Sequence, residues 1–111
     1  MVTTTSKAIA DQTKQWADTV IQEFNERVIR DPHRSFTARY RGNYLYLDRM
    51  DDGPARPICR LTYTGRLDQW EFAIFTYSDE RYDPAEWLFP GAEYVDGTLL
   101  GALRAAWAAY P

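Results

Sequence analysis

Apolar positions recur with one period at the start of the chain and with another period after it, and the change predicts where a helix gives way to strands. Up to Arg30 they recur every three or four residues, which predicts one amphipathic helix over 7–30 with Ser6 as its cap. Asp31-Pro32 should end it, because a residue before proline avoids helical backbone angles. The expected buried stripe is Ile9, Trp16, Ala17, Val20, Ile21, Phe24 and Val28.

A period of two follows and predicts a hairpin. Gly42-Asn43 is a two-residue turn of the kind that joins strands tightly, here over 36–41 and 44–50. The turn fixes the register, with Arg41 opposite Tyr44. One face then belongs to the core and carries Phe36, Ala38, Tyr40, Leu45 and Leu47. The other interleaves cations with aromatic rings and carries Thr37, Arg39, Arg41, Tyr44, Tyr46 and Asp48.

Two more strands and a second helix are expected further along. The third strand, over 58–64, should turn Cys59, Leu61 and Tyr63 inward and Arg60 and Thr62 outward. The fourth, over 69–77, is apolar on both faces, so its pattern does not select the buried one. An apolar helix over 98–109 should end the domain, with Arg104 as its only charge.

The long connection over 78–97 is rich in acids and aromatics. Asp83-Pro84 is a helix-start signal, which predicts one helical turn over 84–88. Trp87 lies in the run Trp-Leu-Phe-Pro-Gly, which either plugs the open end of the sheet or presents an anchor to a partner. We favour the plug, because an ordered loop of this length needs apolar anchors.

The predicted architecture is of the α+β class. It has an N-terminal helix, a four-stranded antiparallel meander, the long acidic-aromatic loop and a C-terminal helix, with both helices on one sheet face. Residues 7–111 should form a single domain behind a disordered N-terminus at 1–6. This arrangement leaves the other face of the sheet open.

Charge divides the chain unevenly. Residues 33–66 carry seven Arg against three Asp, a balance of +4, whereas residues 67–97 carry eight acids against one Arg, a balance of −7. The whole chain has a net charge of −3. Such a split favours either a charged partner or two lobes that face each other, for example an acidic loop closing as a lid over a basic face.

Two groups of residues are therefore candidate binding residues. Arginine stacks on aromatic rings and also forms paired hydrogen bonds to carboxylate or phosphate. The alternative is purely structural, since Arg opposite Tyr is itself a stabilising cross-strand pair. The candidates are Arg39, Arg41, Tyr44, Tyr46, Arg60 and Tyr77 on the sheet face, and Asp79, Glu80, Tyr82 and Trp87 in the loop.

Motifs for catalysis are missing from the sequence. His33 is the only histidine, the glycines are scattered singly, and the acids of the loop match no metal-ligand spacing. We expect no catalytic residue, no metal and no cofactor. Cys59 is the only cysteine, which excludes an intramolecular disulfide and, with no leader or membrane-spanning pattern, favours the cytoplasm.

Two functions remain after these exclusions. The first is a small non-enzymatic protein-interaction module, whose partner is another protein or a second copy of the chain as a homodimer. The alternative is binding of single-stranded nucleic acid or another anionic ligand by the Arg and Tyr side chains of the sheet. The net charge of −3 disfavours nucleic acid, and nothing in the sequence points to a membrane partner.

Overall fold

Two helices and a five-stranded antiparallel sheet make up the computed structural model, which describes residues 8–111. The sheet order follows the chain, β1-β2-β3-β4-β5. The predicted α+β class is confirmed, with one strand more than expected. The elements are α1 (Asp11–Phe24), a π-helical segment (Asn25–Ile29), β1 (Arg34–Arg41), β2 (Tyr44–Asp51), β3 (Arg56–Thr62), β4 (Glu71–Thr76), β5 (Arg81–Asp83), a 3-10 turn (Ala92–Tyr94) and α2 (Leu99–Ala109).

The first helix is shorter at its start than the sequence predicts. It begins at Asp11, and Ile9 before it donates its backbone N–H to the Gly42 carbonyl at 3.0 Å. That bond ties the entry segment to the β1–β2 turn. The predicted cap Ser6 and the predicted disorder of 1–6 lie outside the described residues. At the other end the π-helical segment stops at Arg30, which has left-handed backbone angles (φ 56°).

The hairpin forms in the predicted register. Arg41 lies opposite Tyr44 and Arg39 opposite Tyr46, and Gly42 in the turn has φ +60°. A residue without a side chain adopts such a φ at little cost, which is why the Gly-Asn turn closes here. Between β2 and β3 the register shifts by one residue after Leu47, which is a β-bulge.

Both helices pack on one face of the sheet and enclose the core there. Aromatic rings join each helix to β1. The ring centroid of Phe36 on β1 lies 6.0 Å from that of Phe24 on α1 and 6.3 Å from that of Trp107 on α2. The structure also shows which face of the fourth strand is buried. Phe72 and Ile74 on β4, and Trp70 just before it, face the helices. The core residues on the strands and just before β4 are Phe36, Leu45, Leu47, Ile58, Cys59, Leu61, Trp70, Phe72 and Ile74.

One strand was not predicted. β5 pairs antiparallel to β4, with Thr76 opposite Arg81, and this places Tyr82 opposite Phe75. The predicted helical turn over 84–88 is wrong, since the only helical turn of the connection comes later, at the 3-10 turn. Asp83 does stabilise a turn, because its Oδ1 accepts the Ala85 N–H at 3.0 Å, but the backbone continues in an irregular path.

The rest of the connection lies on the helix side of the sheet. Trp87 and Phe89 pack against Phe72, with centroid distances of 6.0 Å and 5.8 Å, and the backbone N–H of Trp70 donates to the Gly97 carbonyl at 2.8 Å. These contacts fit the plug interpretation, but Trp87 is still 45% exposed and Leu88 95% exposed, so the choice between a plug and a partner anchor stays a prediction. The alternative of a lid over the basic face is wrong, because these aromatic anchors draw the loop to the opposite side.

The second helix begins where predicted. Thr98 caps it, since its Oγ1 accepts the Gly101 N–H at 2.9 Å, and Asp96 in turn accepts the Thr98 hydroxyl at 2.6 Å. Leu99, Leu103 and Ala106 are buried on its core side. Among residues 8–111, no helix has the length and hydrophobicity that crossing a bilayer requires.

Candidate interaction surface

The sheet face that the helices leave uncovered carries a cluster of arginine and aromatic side chains. Strand alternation and the register of β1 to β5 bring these residues to the same side. We call this cluster the aromatic–arginine face and define it by Arg39, Tyr44, Tyr46, Arg60, Phe75 and Tyr82.

Arg39 is anchored within this face by a buried carboxylate. Its Nη2 donates to Asp48 Oδ1 at 3.1 Å and its Nε donates to the other carboxylate oxygen. Asp48 is only 4% exposed, and its carboxylate raises the pKa of Arg39. The guanidinium carbon lies 4.7 Å from the Tyr46 ring centroid. The charge of Arg39 is therefore already compensated inside the protein.

Arg60 is held in a different way. Its guanidinium carbon lies 4.6 Å from the ring centroid of Tyr44 and 5.5 Å from that of Tyr82. The side chain is half-buried, and its Nε is buried without a hydrogen-bond partner. Within residues 8–111 it forms no ion pair. Stacking thus fixes a cation whose charge no carboxylate of the described chain compensates.

The rings of the face form a continuous row. Centroid distances are 5.9 Å from Tyr44 to Tyr46, 5.3 Å from Tyr46 to Tyr82, and 5.0 Å from Tyr82 to Phe75. Tyr77 extends the row to the border of the sheet, 4.9 Å from Phe75, and donates its hydroxyl to the Pro57 carbonyl. Burial raises the pKa of the Tyr82 hydroxyl, which stays protonated at neutral pH.

The structure brings some of the predicted site residues together and separates others. Arg39, Tyr44, Tyr46, Arg60 and Tyr82 meet in one cluster, as described, and Tyr77 borders it. Arg41 is exposed at the hairpin end of β1, whereas Asp79 and Glu80 are exposed in the β4–β5 turn. Trp87 packs on Phe72 on the helix side and does not belong to the same surface.

Two features of the face were missed from the sequence. Asp48 was assigned to this side of the hairpin without its role as the anchor of Arg39. The predicted register carried the signal, since Asp48 is a diagonal neighbour of Arg39 across the strands. Tyr82 was expected in a loop rather than on β5. The sequence does carry a weak sign of this strand. A polar turn at Ser78 and Asp79 separates two short runs, 75–77 and 81–83, in which aromatic and polar residues alternate.

The cysteine and the histidine of the chain lie outside this face. Cys59 is fully buried, and burial raises the pKa of its thiol. His33 is exposed, and its Nδ1 lies 2.9 Å from Asp52 Oδ1, which raises the pKa of the imidazole. In the part of the chain that the structure describes, no three His, Cys, Asp or Glu side chains converge as metal ligands.

Comparisons with known proteins give no match. No protein-family model matches the chain, and neither the curated proteins nor the solved structures contain a match to it. The functional assignment therefore depends on the geometry and charge of the aromatic–arginine face.

Proposed function

We propose that this protein is a small non-enzymatic protein-interaction module whose aromatic–arginine face binds an acidic segment of a protein. The observation that carries the proposal is the state of Arg60. It is a half-buried cation, stacked between the rings of Tyr44 and Tyr82, with no compensating carboxylate among residues 8–111. An incoming carboxylate would complete this arrangement.

The side chains of the face suit a peptide, which offers both charge and apolar surface, better than a ligand that offers charge alone. A carboxylate can accept two hydrogen bonds from one guanidinium, and these bonds are stronger than neutral ones. The surrounding row of Tyr and Phe rings supplies apolar contact area beside the charge, the combination that dominates binding at protein interfaces. A short acidic segment with an aromatic or aliphatic neighbour would use both.

Charge favours a protein segment over a nucleic-acid strand. Binding along a phosphate backbone requires several cations in a row, but Arg39 is compensated by Asp48. The acidic turn with Asp79 and Glu80 lies at the border of the same sheet and would repel a polyanion. A short acidic peptide bound at Arg41 and Arg60 lies away from that turn, because Arg41 and the turn are at opposite ends of the strands.

The proposal predicts that Arg60→Gln weakens binding of an acidic peptide. The probe is a fluorescein-labelled peptide of sequence Asp-Glu-Tyr-Asp-Glu, measured by fluorescence anisotropy at about 50 mM and about 500 mM NaCl. We expect low-salt binding that high salt weakens. Losing a stacked charged donor should raise the Kd about tenfold, equivalent to about 1.4 kcal/mol.

A matched control is Arg27→Gln, which removes the same charge from an exposed position on the π-helical segment. It should leave the Kd unchanged within about twofold. The same titration with labelled single-stranded oligothymidylate tests the alternative. Tighter binding of the oligonucleotide than of the peptide, or equal effects of the two Arg substitutions, would contradict the proposal.

A further inference from the structure

Charged side chains without ion-pair partners lie at opposite corners of the sheet. Arg41 ends β1 and lies level with Tyr44, Thr62 and Glu71 across the strands. The β4–β5 turn with Asp79 and Glu80 lies beyond Thr76, at the other end of the strands and at the other edge of the sheet. Within residues 8–111, neither Arg41 nor these two acids form an ion pair.

The other exposed arginines of this region are already engaged. Arg66 bonds to Asp68 and Arg81 bonds to Asp83, each within its own turn or strand. Arg39 bonds to Asp48. The basic corner at Arg41 and the acidic corner at Asp79 and Glu80 thus have opposite charge and lie diagonally across the sheet. Arg60 lies between them on the central strand β3, level with Tyr46 and Arg39.

A two-fold axis can satisfy both corners at once. Suppose that two copies meet with their aromatic–arginine faces. The diagonal of each sheet runs from its basic corner to its acidic corner. A two-fold axis that lies between the sheets and is perpendicular to this diagonal places each basic corner on the acidic corner of the other copy. The contact occurs twice by symmetry, as in isologous dimers. The strands of the two sheets then cross, and the Tyr and Phe rows form the apolar centre within a charged rim.

We infer that the acidic partner is a second copy of this chain, bound face to face as a two-fold dimer. The inference rests on the proposed function, because the same face, with Arg41 at its corner and Arg60 near its centre, binds the second copy. A sheet of this size measures about 20 Å across and about 25 Å along its strands. Its face is on the order of 500 Å², below the about 800 Å² per partner of a stable complex, so the dimer should be weak and salt-dependent.

The test uses two charge-reversed variants. The first carries Arg41→Glu and Arg60→Glu, and the second carries Asp79→Lys and Glu80→Lys. Each variant alone has corners of like charge, whereas a mixture again offers opposite charges at both contacts. Sedimentation velocity at about 50 mM NaCl should show wild-type dimers, at least about tenfold weaker association of each variant alone, and restored dimers in the mixture.

Several outcomes would overturn the inference. They are a wild-type protein that stays monomeric at high protein concentration in low salt, variants that dimerise as well as the wild type, and a mixture that does not recover. Far-UV circular dichroism confirms that each variant is folded before mixing. The single exposed substitution Arg41→Glu serves as a milder version should the double substitution at Arg41 and Arg60 unfold the sheet.

The second variant also separates this inference from the proposed function. It cannot pair with itself but keeps Arg41, Arg60 and the aromatic row. If it binds the acidic peptide while the wild type remains monomeric, the self-association is wrong and the proposed function stands. If it binds no acidic peptide, the proposed function fails with it.

Discussion

At the scale of single residues, the least expected feature is a cation in the core. Arg49 follows Leu47 on the helix side of β2 and is 1% exposed. Its guanidinium carbon lies 5.7 Å from the Phe36 centroid and 5.2 Å from the Trp107 centroid. Asp51 compensates it while also accepting bonds from Arg34 and Arg56. One carboxylate therefore stabilises three guanidinium groups.

This arrangement predicts that Asp51→Asn destabilises the protein more than Arg49→Met. Removing the carboxylate leaves three neighbouring cations, one of them buried, and should cost about 3 kcal/mol of unfolding free energy. Replacing Arg49 removes a buried charge whose Nη1 has no hydrogen-bond partner, and Asp51 keeps Arg34 and Arg56. That change should stay within about 1 kcal/mol. Urea unfolding measures both, and the reverse order would contradict the account.

The pH dependence of the unfolding free energy tests the same carboxylate in a second way. Burial raises the pKa of Asp51, but hydrogen bonds from Arg56 and Arg34 outweigh it and hold the pKa below the ordinary 3.8. A carboxyl group with a lowered folded-state pKa contributes stability above its unfolded pKa and loses it as the pH falls through its folded pKa. The stability difference between wild type and Asp51→Asn should therefore be full above the ordinary pKa of 3.8 and narrow as the pH falls below it.

At the scale of elements, the termini and turns determine how the layers fit. The π-helical segment directs the side chain of Asn25 to the free edge of β1, where its amide accepts from Phe36 N at 2.8 Å and donates to Phe36 O at 3.0 Å. The amide takes the place of a neighbouring strand at this point. Such cover protects an edge strand from pairing with other chains.

The start of α2 gives a prediction at this scale. A Cβ on Gly101 would lie 2.5 Å from the Tyr94 carbonyl oxygen and would also collide with the Asp96 carboxylate that supports the Thr98 cap. Gly101→Ala should therefore lower the unfolding free energy by about 1–3 kcal/mol, although alanine favours helices. Gly53→Ala is the control, because a Cβ there meets nothing within 4 Å. Thermal unfolding that ranks both variants equally would contradict this packing.

Local patterns determined how much of the fold could be predicted. The Gly42-Asn43 turn was sufficient to set the register of the first hairpin, because a two-residue turn leaves one register. The strands extend further than predicted, since Arg34 and Ser35 also pair, with Asp51 and Met50. The fourth strand could not be oriented, since both of its faces are apolar. β5 was missed because an alternation of polar and apolar residues over only three positions is a weak signal beside the polar turn before it. The burial of Arg49 depends on Trp107, which lies far away in sequence.

At the scale of the whole molecule, the two layers have different surfaces. The helix layer has an apolar groove of about 340 Å³ lined by Phe24, Val28, Tyr94, Arg104, Trp107 and Ala108. The sheet layer presents the aromatic–arginine face with its basic and acidic corners. Of the two, only the sheet face combines fixed aromatic rings with a half-buried cation that no carboxylate among residues 8–111 compensates, and for this reason we propose it as the binding surface.

The most direct test of this assignment is a residue-resolved NMR titration of ¹⁵N-labelled protein with the unlabelled peptide Asp-Glu-Tyr-Asp-Glu. The account predicts that the largest amide shifts fall at Tyr44, Tyr46 and Arg60, and that they disappear in Arg60→Gln. Shifts centred on Val28 and Arg104 in the helix groove, or no shifts at low salt, would contradict it.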